Sequence, residues 1–98
     1  MTKEQIVNYL KAHKVEFYNR FNIEKIALFG SYARGDAHKD SDIDILIELK
    51  KNTKNVYCIK KELKEFLADV FKKDIDIARI KYLQPYYKDE ILKDSIFV

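Results

Sequence analysis

Hydrophobic residues near the start of the chain recur at the three- and four-residue spacing of an α-helix. They are Ile6, Leu10 and Phe17. Thr2 and Gln5 have the form of a capping box, so the pattern predicts a first helix from about Lys3 to Phe17. The same spacing predicts a long amphipathic helix from Val56 to about Lys72, and Pro85 suits the first turn of a last helix.

Three other segments have the composition and alternation of β-strands. They are Glu24 to Phe29, Ile43 to Leu49 and Ile75 to Ile80, and a short helical turn is predicted over Tyr32 to Arg34. The middle strand alternates most regularly. Its apolar side chains share one face (Ile43, Ile45, Ile47 and Leu49), while acidic side chains share the other (Asp42, Asp44 and Glu48).

Helices and strands alternate along the chain in the order helix, strand, short helix, strand, helix, strand, helix. This order predicts a small α/β (α+β) fold in which a three-stranded mixed sheet has helices packed on one side. The chain has 98 residues and contains neither a linker nor a low-complexity tract. We therefore expect one domain over residues 1–98.

Composition narrows the class of protein. Hydrophobic residues make up 47% and charged residues 36%, a balance typical of a folded domain. No apolar run reaches the roughly 18 residues of a membrane span, and there is no signal-peptide pattern, so we expect a cytoplasmic protein without a membrane partner. Cys58 is the single cysteine and is expected to be structural. The net charge of +3 is spread along the chain without a dense basic stripe, so specific DNA or RNA binding is not expected.

Gly30 lies where the first predicted strand ends and a helical turn begins. Glycine allows backbone N–H groups to approach an anion closely there, and Ser31 adds a hydroxyl donor. A plain strand-to-helix turn would have the same residues, so this pair alone leaves both interpretations open. Arg34 could neutralise phosphate charge or form an ion pair with Asp36 or Asp40.

Two pairs of aspartates carry the strongest candidate chemistry. Asp42 and Asp44 are two residues apart on a strand, so their carboxylates could converge on one cation, although a solvated polar face would have the same pattern. Oxygen ligands without histidine or cysteine favour Mg²⁺ or Mn²⁺. Asp74 and Asp76 repeat the arrangement on the third strand, and either could complete a three-carboxylate cluster around two metal ions.

The run Gly30-Ser31, followed after ten residues by Asp42-Ile43-Asp44, resembles the GS-x10-DxD signature of DNA polymerase β-like nucleotidyltransferases. Within that superfamily the chain resembles the minimal nucleotidyltransferases (MNT) over nearly its whole length. The resemblance implies the nucleotidyltransferase fold, with Gly30 and Ser31 holding the triphosphate. It also implies that Asp42 and Asp44 bind metal ions and that Asp76 completes the set, with Asp74 as the alternative in another register.

The resemblance also implies a reaction and a partner. The reaction is the Mg²⁺-dependent transfer of AMP from ATP to a hydroxyl group, with two ions in the site. Minimal nucleotidyltransferases are often paired with HEPN-domain toxins, so an antitoxin that adenylylates a tyrosine of its toxin is implied. Two alternatives stay open: neutralisation by binding alone, and transfer to a small hydroxyl compound such as an aminoglycoside. The acceptor, the nucleobase preference and a homo- or hetero-oligomeric state are left undetermined by the sequence.

Overall fold

The computed structural model describes every residue from Met1 to Val98. Its helices are α1 (Lys3–Ala12), α2 (Lys14–Phe21), α3 (Gly30–Arg34), α4 (Val56–Phe71) and α5 (Pro85–Asp94). Its strands are β1 (Ile23–Phe29), β2 (Ile43–Leu49), β3 (Ile75–Arg79) and β4 (Ile96–Phe97), and a 3₁₀ turn spans Ile80–Tyr82. None of the helices has the length and apolar character needed to cross a membrane.

The four strands form one mixed sheet in the order β3-β2-β1-β4. β2 runs parallel to β3 and antiparallel to β1, and β4 is antiparallel to β1. The mixed α/β fold class is confirmed, but the sheet has a fourth strand that we did not predict. In β4, Ile96 and Phe97 pair with Leu28 and Ala27. Two residues are too few for alternation to be recognised in the sequence.

The first predicted helix is two helices, and the prediction of a continuous one was wrong. The capping box is present, since Gln5 N–H donates to Thr2 Oγ1 at 3.1 Å and Thr2 N–H donates to Gln5 Oε1 at 2.9 Å. The chain leaves helical geometry at His13, with φ −106° and ψ 11°, before α2 begins. Leu10 and Phe17 are separated by about two helical turns, so their spacing alone could not reveal the break.

The core lies on one face of the sheet, between the strands and α1, α2 and α4. The fully buried residues of the central strands on this face include Leu28, Ile45 and Ile47. The helices contribute Ile6, Leu10, Phe17, Leu63 and Leu67. Each large apolar side chain buried in this way stabilises the fold by about 1.5 to 3 kcal/mol.

The opposite face of the sheet is partly covered as well. Ala27 and Leu46 point to that face and are fully buried. α5 contacts β1 and α3, so the last helix packs beside the end of β1 and the start of α3. Asp44 of β2 and Asp76 of β3 lie on this face at the end of the sheet that contacts α3.

Candidate active site

The register of β2 and β3 places two aspartates side by side. The Cα atom of Asp44 is the direct partner of that of Asp76 in the parallel pair, so both side chains point to the face away from the main core. Asp42 precedes β2 by one residue and lies two residues before Asp44, which directs it to the same side. Asp74 precedes β3, and its carbonyl oxygen accepts a hydrogen bond from Ile43 N–H at 3.0 Å. Asp76 is thus the aspartate that faces Asp44.

Asp44 is the electrostatic centre of this arrangement. Burial raises the pKa of its carboxyl group from 3.8 to about 6, with further contributions from the neighbouring charges of Asp76 and Asp42. Arg34 acts in the opposite direction and lowers the pKa. A half-buried carboxylate next to two others is unfavourable unless a proton or a cation compensates its charge. Negative charge is therefore concentrated around Asp44, and a bound cation would compensate it.

Gly30 makes direct contact with this carboxylate. Its φ of 74° lies in the left-handed region, which side chains disfavour. A Cβ atom at this position would overlap the carboxylate of Asp44 and lie 2.9 Å from its Cγ atom. The absence of a side chain therefore allows both the turn into α3 and the approach of Asp44 to the backbone. The predicted phosphate-binding turn and the predicted metal ligand meet at this contact.

Ser31 and Arg34 lie on the short helix that follows. The Ser31 carbonyl accepts hydrogen bonds from Gly35 N–H and Asp36 N–H, both at 3.0 Å, which closes the helix. Its half-buried hydroxyl makes no hydrogen bond to the rest of the chain. Arg34 Nε lies 3.2 Å from Asp36 Oδ2, so the ion pair considered in the sequence is formed. The same guanidinium also acts on the pKa of Asp44, so it lies close enough to respond to charge in the site.

The loop that precedes Asp42 is bound by a residue from a distant part of the chain. Lys73 Nζ donates a hydrogen bond of 2.7 Å to the carbonyl oxygen of Lys39, which ties the loop before β2 to the segment before β3. Within that loop, His38 N–H donates to Ser41 Oγ at 3.0 Å. Lys73 was not singled out in the sequence, because its partner is a backbone carbonyl that no residue pattern identifies.

The last helix also reaches the site. A recess of about 130 Å³ is bordered by Gly30, Arg34, Glu90, Ile91 and Asp94, together with Phe29. The sequence predicted the last helix but gave no role in the site to Glu90 or Asp94. Their spacing of four residues on a helix was the available signal, because it places both side chains on one face.

The acidic residues of the site suit a magnesium ion that a substrate helps to bind. No three acidic, histidine or cysteine side chains lie close enough to surround a metal ion by themselves. Mg²⁺ usually takes one or two carboxylates, keeps several waters and shares the phosphate oxygens of a substrate. Asp42 and Asp44 could supply the carboxylates. Burial and the neighbouring charges of Asp76 and Asp42 raise the pKa of Asp44, and an ion would compensate that unfavourable charge. The donor set suits an ion that arrives with a nucleotide.

Two other residues behave differently from what the sequence led us to expect. Glu48 shares the polar face of β2 in the alternation pattern, yet it does not join the aspartates. Its Oε2 lies 3.1 Å from the Arg79 guanidinium, and its Oε1 accepts from Lys81 N–H at 3.0 Å. Burial raises the pKa of Glu48, but these hydrogen bonds and the one from Leu49 N–H outweigh it, and the net pKa is lowered. Cys58, which we expected to be a structural residue, is exposed on α4.

Comparison with known proteins gives one consistent picture. The model of the nucleotidyltransferase domain family matches residues 4–98. The protein adenylyltransferase MntA of Thermococcus cleftensis is 34% identical over 98 residues, which cover 100% of this chain and 97% of that protein. A solved structure of a candidate minimal nucleotidyltransferase is 26% identical, with a TM-score of 0.79 and coverage of 98% and 95% of the two chains. A toxin–antitoxin complex solved with AMP-PNP shares the fold at 24% identity, with a TM-score of 0.68 and coverage of 99% and 72%. The chain belongs to the nucleotidyltransferase domain family.

Proposed function

We propose that this protein is a magnesium-dependent adenylyltransferase that transfers AMP from ATP to a tyrosine hydroxyl of a HEPN-domain toxin, and so acts as its antitoxin. The observation that carries the proposal is the contact between Gly30 and Asp44, with Asp42 and Asp76 on the same face. It joins a turn suited to phosphate with carboxylates suited to Mg²⁺. ATP as donor agrees with the cytoplasmic location expected from the sequence.

In this proposal the residues of the site have three roles: binding the triphosphate, binding the metal ion and accepting a proton. Gly30 and Ser31 hold the triphosphate through backbone N–H groups and the free hydroxyl, and Arg34 compensates phosphate charge. Asp42, Asp44 and Asp76 would hold Mg²⁺, which neutralises negative charge that develops on the phosphates. Asp76 lies beside Asp44 at the open side of the site and takes the proton of the acceptor hydroxyl.

The transfer is an in-line displacement at the α-phosphorus of ATP. The acceptor oxygen forms a new bond to phosphorus while the bond to the β-phosphate oxygen breaks, and pyrophosphate leaves. The hydroxyl proton passes to Asp76 and from there to water. Catalysis rests on positioning and charge stabilisation, since no nucleophilic side chain is needed.

The nature of the acceptor is inferred from the relatives. The full-length relative at 34% identity is named a protein adenylyltransferase, which favours a protein over a small hydroxyl compound. The toxin–antitoxin complex that shares the fold agrees with a toxin as that protein.

The direct test is incubation with Mg²⁺, labelled ATP and the protein encoded beside this one, followed by mass spectrometry of that protein. We expect a mass increase of one or more AMP units. A double variant, Asp42→Asn with Asp44→Asn, should lose the transfer. The matched control changes two exposed aspartates elsewhere, Asp69 and Asp89, and should keep it. Undiminished transfer by the first variant would refute the metal assignment, and neutralisation of the toxin without transfer would favour an antitoxin that acts by binding alone.

A further inference from the structure

One face of α4 carries exposed residues that the proposed chemistry does not use. Tyr57, Lys60, Lys61 and Lys64 follow the spacing at which residues share one side of a helix, and we call this set the lysine stripe. Tyr57 is 78% exposed, although a tyrosine usually buries much of its ring. Lys61 and Lys64 are exposed, and Lys60 is half-buried.

The charges of the lysine stripe are not compensated within the chain. None of its three lysines forms an ion pair, although Lys72 at the end of α4 does so with Asp69. The segment from Lys50 to Lys64 contains six lysines and one acidic residue, a net charge of +5 against +3 for the whole chain. Lys60 and Lys64 are four residues apart, a spacing at which like charges destabilise a helix. An acidic ligand would relieve this repulsion.

The lysine stripe borders a groove that reaches the candidate active site. The groove has a volume of about 330 Å³ and is lined by the stripe together with Asp76 and Ile77 of β3. β3 is an edge strand, so no other strand covers this side of the sheet. Asp76 is the residue proposed to take the acceptor proton. A chain segment bound in the groove would therefore end where the acceptor hydroxyl must lie.

We infer that the lysine stripe docks an acidic segment of the acceptor protein and guides its hydroxyl group to Asp76. This inference rests on the proposed function, because it gives the stripe a role on the acceptor side of that site. The aspartates of the site repel an acidic polypeptide, and the lysines offset that repulsion where the segment approaches. Tyr57 offers a flat, amphipathic surface of the kind that is common at protein interfaces.

An acidic polypeptide fits the stripe better than a nucleic acid does. Proteins that bind single strands stack successive bases on several aromatic side chains and often use arginine. The stripe has one aromatic residue, three lysines and no arginine. Its short length also suits a segment of a few residues, since Tyr57 and Lys64 are separated by about two helical turns.

The test compares two synthetic peptides of equal length, each with a single tyrosine. In the acidic peptide four glutamates flank the tyrosine, and in the neutral peptide four glutamines replace them. Binding is measured by fluorescence anisotropy without ATP, and AMP transfer is measured separately with Mg²⁺ and labelled ATP. If each of the three lysines contributes roughly a twofold gain in affinity, the acidic peptide should bind about tenfold more tightly than the neutral one. This preference should fall as the salt concentration is raised. The KM for the acidic peptide should be lower than that for the neutral peptide by the same factor.

The decisive variant reverses three charges, Lys60→Glu, Lys61→Glu and Lys64→Glu, and should lose the preference for the acidic peptide. The matched control reverses three lysines of the first two helices, which do not line the groove: Lys3→Glu, Lys11→Glu and Lys14→Glu. Each set contains one half-buried and two exposed lysines, so the control should keep the preference. If the reversal impairs folding, the same three stripe positions changed to glutamine provide the measurement.

Equal treatment of both peptides by the wild-type chain, including no binding of either, would overturn the inference. It would also be overturned if the variant with the reversed lysine stripe still preferred the acidic peptide. A third contrary result would be single-stranded RNA that binds the wild type more tightly than the acidic peptide does and no longer binds that variant. Failure of the proposed function has a different outcome. In that case no peptide receives AMP, while binding of the acidic peptide still depends on the lysine stripe.

Discussion

Replacing Asp44 by asparagine should make the protein more stable at neutral pH while it removes a residue that the proposed reaction requires. The pKa of Asp44 rises from 3.8 to about 6 because the carboxyl group is partly buried beside Asp76 and Asp42. At about 1.4 kcal/mol for each pKa unit, the full rise would correspond to about 3 kcal/mol. Asp44 is half exposed, so solvent screening reduces the expected gain for Asp44→Asn to about 1 to 2 kcal/mol.

The pH dependence follows from the direction of this pKa change. The folded state binds the proton of Asp44 more tightly than the unfolded state, so ionisation of the group opposes folding. The penalty is absent below the unfolded pKa of 3.8, grows as the pH rises, and is complete above about 6. The stability gain of Asp44→Asn should therefore be full at neutral pH and should vanish as the pH falls toward 4.

The assay is urea unfolding of both proteins at several pH values between about 4.5 and 7.5, with a chelator present to exclude divalent ions. In thermal unfolding, each kcal/mol should raise the Tm by about 4 to 8 °C for a chain of this size. Asp89→Asn is the control, because Asp89 is exposed on α5 and its replacement should change stability by less than about 0.5 kcal/mol. A variant no more stable than the wild type at neutral pH, or a gain independent of pH, would refute the electrostatic reasoning.

Three further substitutions test separate contacts. Gly30→Ala should destabilise the fold by more than Gly35→Ala in urea unfolding, because both positions have a positive φ but only Gly30 contacts a side chain that the new Cβ would overlap. Backbone strain alone should cost about 1 to 2 kcal/mol at either site, and an equal loss in both would contradict the contact. Glu48→Gln should destabilise the protein by about 2 kcal/mol at neutral pH, since Arg79 loses its charged partner while its side chain is only 12% exposed. Because the pKa of Glu48 is lowered, this loss of stability should shrink as the pH falls below the usual pKa of a glutamate. A loss of stability that stayed constant down to acidic pH would argue against the ion pair of Glu48 and Arg79. Ser31→Ala should raise the KM for ATP roughly tenfold with stability changed by less than about 0.5 kcal/mol, because the hydroxyl has no partner in the chain; a large loss of stability would show that it has one.

Several features were accessible from the sequence because they depend on neighbours along the chain. The capping box of Thr2 and Gln5 and the alternation of β2 involve residues a few positions apart, and both were predicted correctly. The separation of Gly30-Ser31 from Asp42 and Asp44 was sufficient to recognise the family. Spacing within a strand also fixed that Asp42 and Asp44 point to the same side.

Other features were decided only by the tertiary structure. The sequence contains Asp-Ile-Asp at 42–44 and again at 74–76, and nothing local distinguishes Asp74 from Asp76 as the partner of Asp44. The parallel register of β2 and β3 makes that choice, because a shift of two residues would place Asp74 instead of Asp76 beside Asp44 on the same face. The contact of Gly30 with Asp44 and the pairing of Glu48 with Arg79 likewise join residues far apart in sequence. Such contacts depend on how whole strands and helices pack, and the sequence pattern of one element does not contain that information.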